Sequence, residues 1–484
     1  MSGAGYDGSI LNRRDPSSPP FAFRRFRAAS WAVALVATAV IAFAAVAEQK
    51  ASTDGGAPSQ PTPADEAIEA ALGQAQAKVI ADDAVSIADG GTAPAAEVNE
   101  VPAAAANAAA QTAPLPGLSL LRRAEASARP GEPFLSAELP DGRTARLTIN
   151  KHLQLQMQKL LASYKPMDAA MVAIDPKTGK VLALAEYAQD GKSSGLATRP
   201  LYPAASIFKI ITGAALLDKG ISPNTETCFH GGMHGIVAKL LIDTRLDRRC
   251  LSLSMALAKS ANVVFAKMAM KHLDAAELRT EAERLLFNRP IWADPQVEAS
   301  SAHIPDEKLA FAKSAAGFGQ VRLSPLHAAL IAAAVANGGV SQNPTLIEEV
   351  AGKEPAPTEP RRLLQKATAD TLRDMMKLTI SEGTARSSFR ERRRMVLGDI
   401  EVAGKTGSLS NHERPFKDYS WFVGFAPADD PQIAVAVVVV NGLKWRIHAP
   451  YVAREALRAY LVGGAIGQPP VARRSPRRRH RKHR

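Results

Sequence analysis

The chain has 484 residues, and 60 Lys+Arg against 47 Asp+Glu leave a net charge of +13. Eight of those positive charges lie within 471–484, so the remainder is nearly balanced and does not have the charge of a nucleic-acid-binding body. Two cysteines exclude a disulfide-dense scaffold and an all-cysteine zinc site, and the lack of any aromatic residue between Phe43 and Phe134 excludes a packed domain there.

In chain order, residues 1–27 form a short N-terminus that carries Arg13, Arg14, Arg24, Arg25 and Arg27. Ala28 to Ala47 is uncharged and, at about 1.5 Å per residue, just long enough to cross a hydrocarbon core of about 30 Å. It reads as one transmembrane anchor, and the basic excess before it fixes 1–27 in the cytoplasm and everything after it outside. A cleaved signal peptide is the competing reading, since Ala45-Val46-Ala47 is an acceptable small-residue site; the length of the apolar run favours the anchor. From 48 to 131 the chain is rich in Ala, Pro, Gln and acidic residues, too poor in apolar surface to offset chain entropy, and reads as a flexible tether with an r.m.s. span of about 50 Å.

A folded domain is expected over 132–466. Thr144 to Ile149 alternates as a strand, and Asn150 caps a helix that places Leu153, Met157, Leu160 and Leu161 on one face. Met171 to Asp175 and Val181 to Glu186 are apolar runs joined by the turn residues of Pro176-Lys177-Thr178-Gly179-Lys180, which predicts a hairpin. After a long helical middle, Ser420 to Ala426 and Ile433 to Val440 read as two more strands, and Pro450 opens an amphipathic helix running to about Leu461. Strands at both ends with helices between predict an α/β (α+β) domain whose antiparallel sheet is assembled from distant segments and covered by helices. Residues 467–484 form a basic tail, read as disordered, that either binds anionic lipid or wall polymer or is a solvated extension.

The sharpest chemical signal is Ser206-Ile207-Phe208-Lys209, ahead of the helical run Ile210 to Lys219. Side chains at i and i+3 share a helix face, so the Lys209 amine can reach the Ser206 hydroxyl. A serine needs an adjacent base to attack a carbonyl, and a lysine serves only when burial, a second cation or a helix N-terminus keeps it neutral. Such a spacing arises about once by chance in a chain of ordinary composition this long, so it proves little alone. Two further elements follow in order: Ser260-Ala261-Asn262 behind the helical run Leu253 to Lys259, and Lys405-Thr406-Gly407-Ser408 before the strand at Ser420. Two decoys, Ser222-Pro223-Asn224 and Lys177-Thr178-Gly179, are set aside because Pro223 disrupts a helix and the second lies in the hairpin turn.

With these three elements the chain resembles the penicillin-binding protein transpeptidase domain, in the serine-enzyme group that includes the β-lactamases. Ala316-Gly317-Phe318-Gly319-Gln320, Gly338-Gly339, Gly383-Thr384-Ala385 and Trp421-Phe422-Val423-Gly424-Phe425 add to the likeness. The resemblance implies a β-lactamase/transpeptidase-like fold, with a helical subdomain beside a five-stranded antiparallel sheet. It also implies a D-Ala-D-Ala stem-peptide substrate, β-lactams as acylating mimics, and no cofactor or metal. Ser206 is then the nucleophile and Lys209 its base. Ser260 relays the proton to the leaving amine, Asn262 holds the lysine and the substrate amide, and Lys405 supplies a fixed cation. Thr406 and Ser408 take the substrate carboxylate, Gly407 allows close approach of the substrate, and the backbone N–H groups of Ser206 and Ser408 form the oxyanion hole. No segment resembles a glycosyltransferase, so one is expected as a partner.

The same fold also hosts D,D-carboxypeptidases, β-lactamases and non-catalytic β-lactam-binding modules. Glu283 to Asn288 approaches the deacylating Glu-x-x-Leu-Asn pattern but has one residue too many, so Leu285, Leu286 and Phe287 read as helix packing. Cys228 and Cys250 are expected to pair, because an exported domain meets an oxidising compartment. Cys228, His230 and His234 lack the second cluster a metal site needs, and His303, His327, His412 and His448 have no partner visible in the sequence.

Overall fold

The computed structural model describes residues 116–129, 131–192, 195–233, 235–294, 296–356, 358–411 and 414–463. The expected anchor at 28–47 and the basic tail at 467–484 lie outside them. Among the described residues no helix is long and apolar enough to cross a membrane.

Part of the stretch read as tether is folded. Helix α1 (Pro116–Ala126) lies within the stretch read as tether, and Leu118, Leu120, Leu121 and Ala124 on it are buried in the main core. Polar contacts add to this: Gln154 and Gln158 each donate to the Glu125 carboxylate, at 2.8 and 2.7 Å. The tether reading therefore has to stop short of this helix. Its short Leu-rich stripe is outweighed in composition by the Ala/Pro-rich residues before it, although four apolar side chains on one face are enough to dock a helix.

The next elements follow the predicted pattern. Asn150 caps α2 (Lys151–Tyr164) by accepting from Leu153 N at 2.9 Å. Strands β1 (Asp168–Ile174) and β2 (Val181–Ala188) form the predicted hairpin. At its turn Gly179 has φ +78°, and a Cβ there would lie 2.5 Å from Asn343 O, so only glycine fits. A 3₁₀ turn (Ala205–Phe208) runs into α3 (Lys209–Asp218). A second hairpin, β3 (Glu226–Phe229) with β4 (Arg249–Ser252), is closed by a Cys228–Cys250 disulfide between directly paired residues. Next come α4 (Leu253–Ala258), α5 (Asn262–His272), α6 (Pro325–Ala336), buried from Pro325 to Val335, and α7 (Lys366–Ser381).

The domain closes with β5 (Ala403–Asn411), β6 (Lys417–Ala426), β7 (Ile433–Asn441) and α8 (Ala449–Leu461). The main sheet has the order β5-β6-β7-β1-β2 and is antiparallel throughout, as expected. Its centre, β7, is buried at every position because both faces are covered, which is why it reads as an unbroken Val/Ala run. One face joins α6 and the helical subdomain in the main core. The other packs on α2 and α8 in a second core. Strand β5 is left at an edge, and that edge faces the helical subdomain.

Because Leu121 is 3% exposed within the main core, Leu121→Ala should destabilise the domain by about 2–5 kcal/mol, the range for truncating a buried leucine. Urea unfolding of a fragment starting near residue 110 checks this, and an unchanged midpoint would mean that α1 is not part of the folded unit.

Candidate active site

The site forms where the 3₁₀ turn, the α4–α5 junction and the β5 edge meet. In the 3₁₀ turn, residues three apart eclipse, which stacks Lys209 over Ser206. Ala205 at φ +48° and Ser260 at φ +55° hold left-handed conformations that cost non-glycine residues energy; both sit at the positions that aim the site's hydroxyls. Gly317 is required for the same closeness, since a Cβ there would lie 2.0 Å from Ala205 O.

Lys209 has no exposed surface. Its Nζ lies 2.7 Å from each of Ser206 Oγ, Asn262 Oδ1 and Ala316 O. None of these partners is a carboxylate. Burial first, and the charge of Lys405 second, push the Lys209 pKa well below that of an ordinary lysine. In the neutral amine two N–H groups donate to Asn262 Oδ1 and Ala316 O, which leaves the nitrogen lone pair for the Ser206 hydroxyl proton. Lys405 is also fully buried. It donates to Ser260 Oγ at 2.9 Å and to Thr406 O at 2.7 Å, and burial lowers its pKa to about 7. Of the two lysines, only Lys209 has the charge of a neighbouring cation added to its desolvation.

All three sequence elements therefore converge. Ser206, Ser260, Asn262, Thr406, Gly407 and Ser408 line one cleft of about 890 Å³, with Lys209 and Lys405 buried behind it. At Gly407 the close approach shown is to the protein itself: a Cβ would meet Trp421 Cβ at 3.1 Å and Ile207 Cγ1 at 3.3 Å. The decoys stay outside the cleft.

Several participants were missed. Ala316 O is the third partner of Lys209, and Thr384 shares a hydroxyl–hydroxyl bond with Thr406. Both lie in stretches singled out for their likeness, but nothing in the spacing says what they touch. Met233, Lys259, Phe318 and His448 also line the cleft. Away from it, Cys228 is committed to its disulfide, and His230 Nδ1 pairs with Asp247 Oδ1 at 2.5 Å, beside Lys267. His234 and His412 lie outside the described residues. His327 is buried, with Nε2 donating to Leu285 O at 2.7 Å, and burial pulls its pKa to about 4; it is a core histidine. Leu285 and Phe287 pack in the core as expected, and Glu283 accepts from Arg289 at the surface.

Residues 169–457 match the family described as penicillin binding protein transpeptidase domain. The chain belongs to that family. It is 28% identical to the peptidoglycan D,D-transpeptidase PbpA of Mycolicibacterium smegmatis over 316 residues, covering 57% of this chain and 62% of that protein. It is 29% identical over 375 residues to PbpA of Mycobacterium tuberculosis, covering 69% and 72% respectively. The crystal structure of PBPA from M. tuberculosis superposes with a TM-score of 0.55 at 25% identity, over 66% of this chain and 82% of that one. An imipenem acyl-enzyme complex of the same protein matches with a TM-score of 0.55 at 26% identity, over 66% and 79%.

With Ser206 as the expected nucleophile and Lys209 as its base, the rate of β-lactam acylation should rise with pH through the depressed Lys209 pKa. Lys405→Ala removes one of the two causes of that depression. The acid limb of the rate profile, measured with penicillin between about pH 5 and 9, should move to higher pH, with a loss of at least about tenfold near neutrality. A limb that stays in place would show that the Lys405 charge does not act on Lys209.

Proposed function

We propose that the chain cross-links peptidoglycan stem peptides as a serine D,D-transpeptidase, held at the membrane by 28–47 with its domain outside the cytoplasm. The observation that carries this reading is the fully buried Lys209 amine, with no carboxylate partner, at 2.7 Å from Ser206 Oγ.

Lys209 takes the hydroxyl proton as Ser206 Oγ attacks the penultimate D-Ala carbonyl of the donor stem. The backbone N–H groups of Ser206 and Ser408 stabilise the oxyanion, each donor worth about 3–4 kcal/mol in comparable sites. As the C–N bond breaks, the leaving D-Ala amine receives a proton through Ser260, which Lys405 holds in place at 2.9 Å. Asn262 keeps the amine of Lys209 oriented at 2.7 Å. Lys405, Thr406 and Ser408 attract the terminal carboxylate. An acceptor amine then forms the new C–N bond while the C–Oγ bond breaks, and its proton returns to Ser206 through Lys209.

No Asp or Glu is among the described residues lining the cleft, so no carboxylate there activates a deacylating water. That favours aminolysis over the β-lactamase reading. A basic tail outside the cytoplasm would add attraction to anionic lipid or wall polymer, and a glycosyltransferase remains the expected partner.

Fluorescent penicillin should label the purified domain, and Ser206→Ala should abolish labelling. With a pentapeptide donor and an amine acceptor, cross-linked dimer should form at a rate that falls by at least about 10⁴-fold in Ser206→Ala. Labelling that survives the substitution would refute the nucleophile. Rapid multiple turnover of a chromogenic cephalosporin would instead identify a β-lactamase, and shortened monomer without dimer a carboxypeptidase.

A further inference from the structure

Beyond the carboxylate-binding residues the cleft has a second lobe that the mechanism above does not use. Side chains alternate along β5, and a Cβ at Gly407 would face Ile207 and the main core. Thr406, Ser408 and Ser410 point to the opposite face. There Thr406 meets Thr384, and Ser408 pairs across the sheet with Ser420, whose hydroxyl receives the N–H of Ala449. That contact sets His448, at the start of α8, beside the lobe. Ser387, Ser388, Ser410 and His448 all line the cleft.

Behind these groups lies Asp418, 3% exposed and paired in register with Ser410. Ser410 Oγ donates to Asp418 Oδ1 at 2.6 Å, while Oδ2 is buried with no hydrogen-bond partner among the described residues. A buried carboxylate oxygen without a donor is costly and rare, and it marks the wall behind Ser410 as unusually polar. The His448 ring lies against Trp445, tilted by 42° with centroids 4.2 Å apart. Its pKa is lowered by partial burial, which outweighs the opposing influence of Asp418, so the imidazole can offer a lone pair.

The geometry of the two half-reactions gives this lobe a task. An incoming amine must attack the acyl carbonyl from the position that the leaving amine vacated. The leaving D-Ala carboxylate is directed to Thr406 and Ser408, so the rest of a longer acceptor runs on past Ser408 along the same face of β5. Acceptors of this kind carry a peptide behind the reacting amine, and the lobe offers that peptide hydroxyls and an imidazole.

We propose that the lobe bounded by Ser387, Ser388, Ser410 and His448, backed by Asp418, binds the amine-bearing acceptor stem peptide, and that His448 contacts it. This rests on the transpeptidase reading and extends it to the second substrate. The lobe recognises the peptide beyond the reacting amine, whereas a free D-amino acid is held by Thr406 and Ser408 alone.

The test uses a thiolester donor with two acceptors, D-alanine and the tripeptide L-Ala-γ-D-Glu-L-Lys, on wild type, His448→Ala, His448→Gln and Ser410→Ala. In His448→Ala and Ser410→Ala the KM for the tripeptide should rise about tenfold, at least fivefold more than any change for D-alanine or in penicillin acylation. His448→Gln, which retains a hydrogen-bonding group, should recover most of the loss. Equal changes for both acceptors, or none, would overturn the proposal. So would a wild-type acyl-enzyme that accepts D-alanine but not the tripeptide. A wild-type protein that penicillin does not acylate would instead sink the transpeptidase reading itself.

Discussion

A primary amine with no exposed surface must either be paired with an anion or give up its proton, because an isolated ammonium in a low-dielectric interior is prohibitively costly. Lys209 is buried completely, and its partners are a hydroxyl, an amide oxygen and a backbone carbonyl. The charge of the nearby Lys405 adds to the preference for the neutral form. With its other two neighbours accepting N–H groups, the neutral form of that amine has one lone pair left for Ser206, and the surrounding structure keeps the arrangement buried.

The scaffold meets this constraint with rigid elements and a few strained points. Ser206 sits in a 3₁₀ turn that runs directly into the buried helix opened by Lys209, Asn262 opens another helix, and Lys405 lies on the edge strand of a sheet covered on both faces. The left-handed backbones of Ala205 and Ser260, and the glycine at 317 that lets a chain pass within contact distance, are local costs that the two cores offset. The edge position of β5 matters most. An interior strand would bury both its faces and both its edges, whereas this one presents backbone to the cleft on one side and alternating hydroxyls toward α8.

Much of the fold was legible because its signals are local. The Asn150 cap, the hairpin through Gly179, the apolar run of β7 and the helix after Pro450 follow from periodicity and turn chemistry within a dozen residues, and each was found within a few residues of its observed limits. Helix α1 was hidden because composition was read over a long Ala/Pro-rich stretch, in which four leucine and alanine side chains on one face carry little weight.

The sequence by itself determined the inventory of the site: a serine three residues before a lysine, a Ser-x-Asn, a Lys-Thr-Gly-Ser, and elements able to hold each one. Only the tertiary structure decided who touches whom. The Lys405–Ser260 contact spans 145 residues, the Lys209–Ala316 contact 107, and the glycine at 407 answers to Ile207 and Trp421 rather than to its chain neighbours. Periodicity records which face a residue shows and what lies within a turn or two of it. The partners of a buried amine are set by how separate layers pack, and that packing leaves no mark on the spacing of residues along the chain.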